Sequence, residues 1–231
     1  MKKIKIISIE NGIAEEAIDF VAEEQTINIF VNGTLKNSLQ CSPTDQEKLV
    51  YGYLFSERLI GSASDVKRLY FETRMSVKNF YVETERKSEN GIMSGRDIKV
   101  NANSLLWLMH LLFKNSVLFN KTGCAHISGL SDGENVFSVF EDISRHSAIQ
   151  KTIGDALLSK TLGELPVLLT SARVNETIVR YAKRSGIKII ASHSAPTFRA
   201  VEKARLSKIT LIGFLRESRM NIYTIPERIL F

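Results

Sequence analysis

Cysteine is scarce in this chain: Cys41 and Cys124 are the only two in 231 residues. Two cysteines so isolated exclude a disulfide framework and point to a reducing, cytoplasmic location. Long apolar runs are also missing. The longest, Leu105 to Phe113, is far short of the roughly 20 residues that cross a bilayer. Met1 to Glu10 (MKKIKIISIE) alternates as a strand does and lacks the apolar core of a signal peptide. No membrane association is expected. Internal repeats and low-complexity tracts are absent, and so is a basic stripe with interleaved aromatics, which argues against nucleic acid as the partner. The net charge of +6 is scattered along the chain, a distribution that suits a phosphate-bearing small molecule.

The densest chemistry lies from Thr122 to Lys151, TGCAHISGLSDGENVFSVFEDISRHSAIQK. Asn135 to Phe140 is a short β-prone run, and the residues from Ser147 onwards have helical spacing, with Ile149, Ile153, Leu157 and Leu158 on one face. A strand therefore feeds a helix through residues 141–146. Such a helix start turns its unpaired N–H groups and positive dipole end towards the rim of a sheet. Arg145, His146 and Lys151 add positive charge there, favouring an anion such as phosphate. The competing reading is that Asp142 or Ser144 only caps the helix while Arg145 and Lys151 are solvated; the segment alone supports both equally.

Elsewhere the pattern predicts strands at Met1 to Ile9, Gln25 to Val31 and Val77 to Glu83, with Asn32-Gly33 as a turn. Ser42-Pro43-Thr44-Asp45 opens a helix. Residues 84–97 (TERKSENGIMSGRD) lose all apolar period and read as a mobile loop. Asn103 to Phe113 reads as a buried helix, with Trp107 read as core and ligand stacking as its alternative. Beyond it, apolar runs at Leu165 to Thr170, Ile187 to Ala191 and Ile209 to Phe214 alternate with helices at Asn175 to Lys183 and Thr197 to Arg205. These are buried parallel strands joined by right-handed crossovers, and Asn221 to Thr224 adds an edge strand.

Ligands of such sheets bind beyond the carboxyl ends of the strands. Three loops fall there: Ser171-Ala172-Arg173, Ser192 to Thr197 and Phe214 to Arg219. With Arg145 and Lys151 they form a basic pocket fit for a pyrophosphate and a base.

These residues carry a resemblance. TGCAH at 122–126, EDISRHSAIQK at 141–151, SAR at 171–173, SAPT at 194–197 and GFLRESRMNIYTIPERI at 213–229 resemble, in order and spacing, the formate dehydrogenase accessory proteins of the FdhD/NarQ family. FVNG at 30–33 and SPTDQEKLVYGYLFSERLI at 42–60 fit the first half of the same pattern. The resemblance implies an α/β, cytidine-deaminase-like three-layer fold: a mixed sheet with helices on both faces, in residues 101–231, plus a smaller β-rich part in residues 1–100. It also implies sulfur transfer from a cysteine desulfurase to the bis(molybdopterin guanine dinucleotide) molybdenum cofactor before insertion into the formate dehydrogenase apoenzyme. The cofactor is a bound substrate, no metal is held directly by the protein, and the family forms homodimers. Phe214, Leu215, Arg216, Glu217, Ser218 and Arg219 match the family's cofactor-binding stretch; Arg145, His146, Lys151, Arg173, Ser194 and Thr197 complete the expected site.

One departure bears on mechanism. The family's sulfur carrier is a CxxC-type pair on a loop that here corresponds to about Gly91 to Asp97, GIMSGRD, where no cysteine stands. A persulfide needs a thiolate sulfur, which Ser94 cannot supply. Smaller departures are Gln150 for Asp, and Cys124 and Ala172 for Gly. Cys124, two residues before His126, is the candidate replacement carrier, with His126 assisting; the alternative is one small residue in place of another. Cys41 reads as structural. The second overall reading is a non-catalytic cofactor carrier or chaperone that has lost sulfur chemistry. Zinc deamination, the chemistry of similar folds, needs His-x-Glu and a later Cys pair; Ser128 stands where that Glu belongs.

Overall fold

The computed structural model describes residues 1–85 and 97–231, so most of the expected 84–97 loop, residues 86–96, lies outside the described residues. β1 (Lys2–Glu10) and β2 (Ile13–Val21) form an antiparallel hairpin about Asn11-Gly12. Both turn residues have positive φ, +52° and +84°, the geometry of the tight turn that Asn-Gly favours. β3 (Gln25–Val31) and β4 (Thr34–Cys41) repeat the device at Asn32-Gly33. After α1 (Gln46–Ser56) come β5 (Val66–Arg74) and β6 (Val77–Thr84). These complete a four-stranded sheet in the order β4-β3-β6-β5, with β3 and β6 parallel. Ile27, Ile29 and Val31 alternate into its buried face as a period of two requires.

The rest of the chain builds the larger sheet. β7 (Val100–Asn101) leads into α2 (Ala102–Lys114) and the short α3 (Leu118–Thr122), then β8 (His126–Ser131), β9 (Val136–Asp142) and α4 (Arg145–Leu158). β10 (Val167–Thr170), α5 (Glu176–Arg184), β11 (Ile189–Ser192), α6 (Phe198–Leu206), β12 (Thr210–Arg216) and β13 (Arg219–Thr224) follow, and β14 (Ile229–Leu230) pairs with β7. The order β13-β12-β11-β10-β8-β9 gives a mixed sheet whose three middle strands, β12, β11 and β10, are parallel. β8 runs antiparallel to β10, and β13 antiparallel to β12. β10 and β11 are buried along their whole length, which explains their unbroken apolar sequence.

Both faces are covered. On one, Leu130, Leu168, Ile190 and Leu211 share an apolar core with α1, α4, α5, α6 and the small sheet. On the other, Ile127, Leu169, Ala191 and Ile212 pack with Leu105, Leu108 and Leu112 of α2. α1 and α4 lie in close contact at Gly52 and Gly154. Among the described residues, no helix is long and apolar enough to cross a membrane.

Two expectations need correction. Trp107 is not core: it is 56% exposed on α2, stacked over His110 at 5.4 Å, because residues 105, 108, 109 and 112 form the buried stripe and 107 lies off it. Lys151 does not face a pocket. It is fully buried, with Nζ 2.7 Å from the equally buried Asp142 Oδ2 and 3.2 Å from the Glu141 carbonyl it donates to.

Candidate functional site

The parallel strands β10, β11 and β12 end on one edge of the sheet, and β8, being antiparallel, begins there at His126 opposite Asp142 of β9. α4, α5 and α6 also start near this edge, each with a side-chain cap: Ser144, Asn175 and Thr197 accept from the backbone N–H groups of Ser147, Ile178 and Ala200. Helix N-termini and strand C-termini thus converge, as the βα connections dictate.

On the α4 side of the edge the positive charge is that of Arg145 and Arg173, beside two histidines. His126 is half-buried, and burial first, then the Arg145 and Arg173 guanidiniums, hold its pKa below the ordinary 6.5. Burial and Arg145 depress His146 in the same way. Asn175 Nδ2 lies 3.2 Å from His146 Nε2 and fixes its ring. An anion bound here would offset the guanidinium charge and favour protonation of the imidazoles. Two of the buried polar atoms that have no partner among the described residues lie here: Arg145 Nε, and the Oγ of Ser128, which lies two residues inward from His126 on the same face of β8. These residues fit the phosphate portion of a ligand. Ser144 does cap the helix, as one of the two sequence readings had it, but Arg145 remains with an unpaired buried nitrogen.

On the opposite face lies a cavity of about 720 Å³, within the range of small-molecule sites. Trp107, His110 and Phe113 of α2 line one wall, His193, Leu215, Arg216 and Glu217 the other. Phe113 and His193 are in ring contact at 4.9 Å, and Arg216 Nε donates to the His193 carbonyl at 2.9 Å. The Arg216 and Arg219 guanidiniums lie 5.7 and 5.4 Å from the Phe214 ring. Leu215 is fully buried, so it contributes the cavity wall only. Ser218 is exposed in the β12–β13 turn beside Glu217, whose φ is +45°. Ser194 Oγ donates to the Ser171 carbonyl at 2.8 Å, which ties two of the edge loops together. Thr197 is committed to its cap. His110 was missed, and Trp107 was assigned to the core over stacking, because their register on α2 separates them from its buried stripe by only one position.

The two thiols differ sharply. Cys41 is buried, and desolvation pushes its pKa up to about 11. Cys124 is exposed, after Gly123, which ends α3 in a left-handed conformation.

The chain matches the FdhD/NarQ family over residues 22–94 and 75–230. It is 34% identical to the sulfur carrier protein FdhD of Sulfolobus acidocaldarius, over 99% of this chain and 98% of that one. The protein of the same name from Wolinella succinogenes is 32% identical, over 99% and 89%. A crystal structure of a formate dehydrogenase accessory protein from Desulfotalea psychrophila superposes with a TM-score of 0.84, at 25% identity, over 99% of both chains. The same mixed sheet with its flanking helices therefore recurs in a relative, and this chain belongs to the FdhD/NarQ family.

Proposed function

We propose that the chain is a formate dehydrogenase accessory protein that binds the bis(molybdopterin guanine dinucleotide) cofactor as substrate along this sheet edge and handles sulfur for it. The observation that carries the reading is a single sheet edge with Arg145 and Arg173 beside His126 on one face and, on the other, a nucleotide-sized cavity lined by Arg216. The names of the relatives support the sulfur part. A cysteine desulfurase and the formate dehydrogenase apoenzyme are the corresponding partners, and a homodimer the corresponding assembly.

Calorimetric titration with GDP, with ADP as control, tests the pocket. Selective GDP binding is expected. Arg216→Ala weakens it by about 10- to 100-fold, the worth of one charge-assisted hydrogen bond. Equal affinity for both nucleotides, or none, overturns the reading.

The sulfur step has one accessible thiol to use. The Cys124 thiolate attacks the terminal sulfur of the desulfurase persulfide, the donor S–S bond breaks, and the donor cysteine leaves as thiolate with the bonding pair; no external oxidant or reductant is needed. Sulfane sulfur is expected on the wild-type chain after incubation with a desulfurase and cysteine, and none on Cys124→Ser. The second reading, a cofactor carrier without sulfur chemistry, is favoured by the cysteine-free 91–97 segment and the buried Cys41. GDP binding by a wild-type chain that takes up no sulfane sulfur would establish it.

A further inference from the structure

α2 presents an unusual wall to the cavity. Its Trp107 indole is 56% exposed and already lies nearly parallel to the His110 ring, at 22°. Burying large aromatic surface is favourable, so an exposed indole at the rim of a cavity is available to a flat partner. The opposite wall supplies Arg216, whose Nε is held by the His193 carbonyl, so its terminal nitrogens have a fixed orientation. A planar wall facing an oriented guanidinium across about 720 Å³ is complementary to a heteroaromatic base linked to phosphate.

We propose that Trp107 is the stacking platform for the base of the nucleotide ligand, with its phosphate directed to Arg216. The inference rests on the nucleotide-binding reading given above but assigns a residue outside the family-like motifs. The ring of Trp107 covers one face of the base, and Phe113 and His193 close the floor of the cavity. Trp107 sets affinity for the base, while Arg216 sets affinity for the phosphate.

The chain has one tryptophan, so its emission reports this wall alone. GDP is expected to quench that emission with the same midpoint that calorimetry gives. Trp107→Ala is expected to weaken GDP binding by about 5- to 100-fold, the worth of one base stacked on an aromatic ring, and Trp107→Phe by no more than about threefold. Trp107 is exposed, so neither variant opens a core cavity, and circular dichroism checks the fold directly. Wild-type GDP affinity in Trp107→Ala, or calorimetric binding that leaves the emission unchanged, overturns the stacking role while the nucleotide reading stands. Absence of GDP binding to the wild-type chain overturns both.

Discussion

Replacing Lys151 by methionine is expected to destabilise the fold by roughly 3–5 kcal/mol, the usual consequence of stranding one member of a buried ion pair. Lys151 and Asp142 have no solvent exposure, and their charged atoms are 2.7 Å apart. Burial pushes the Asp142 carboxyl above the usual carboxylate range, with Lys151 pulling against it. The carboxylate also accepts from Ser144 N at 2.8 Å and Ser42 N at 3.1 Å, while Ser42 Oγ accepts from Ile143 N at 3.2 Å. The pair therefore pins the start of α4 to the loop before α1, and with it Arg145 and His146. For a chain of this length each kcal/mol corresponds to about 2–4 °C in Tm, so a loss of roughly 6–20 °C is expected. Adding Asp142→Asn to Lys151→Met should restore much of it, because the uncompensated charge is then gone. A single variant that melts within about 2 °C of wild type would show that the pair contributes nothing to the fold.

This pair also shows what the sequence could and could not reveal. The strand-to-helix passage at residues 141–146 was readable, because β-prone alternation gives way to a period of 3.6 there. The direction of Lys151 was not: a lysine one turn into a helix near two other cations looks like part of an anion site until Asp142 is seen behind it. The parallel strands β10, β11 and β12 announced themselves as continuous apolar runs, and Gln25–Val31 is reproduced to the residue. β2, β4 and β5 gave no comparable signal. β2, IAEEAIDFV, places apolar and acidic residues on both faces, since the hairpin is exposed on both. β8, HISGLS, was hidden because its hydroxyls and glycine are apolar in neither composition nor period, although five consecutive residues of it are buried by neighbouring elements. Of the site, the cationic rim was legible as motif and strand-end logic, whereas Trp107 required the register of α2 against the sheet.

Alanine at Gly154 is expected to cost about 3 kcal/mol, the upper part of the range for overpacking, although alanine is the better helix former by about 1 kcal/mol. An added Cβ would stand 1.9 Å from the Lys48 carbonyl oxygen and 2.8 Å from Gly52 N. These are backbone atoms inside α1, so no rotamer change can yield; the two helices must separate. The same holds in reverse, since a Cβ on Gly52 would meet the Gln150 carbonyl oxygen at 1.8 Å. Separation opens the packing of Leu49 and Val50 against Ile149 and Ile153, whose dispersion contacts depend on close approach. A fall in Tm of roughly 6–12 °C should follow for either variant, and the double variant should lose less than the sum, because one displacement relieves both clashes. The displacement also moves the N-terminus of α4, which carries Arg145 and His146. Equal losses in the two single variants that add fully when combined would mean that the helices respond independently, and the close approach would not be the element that places the cationic rim.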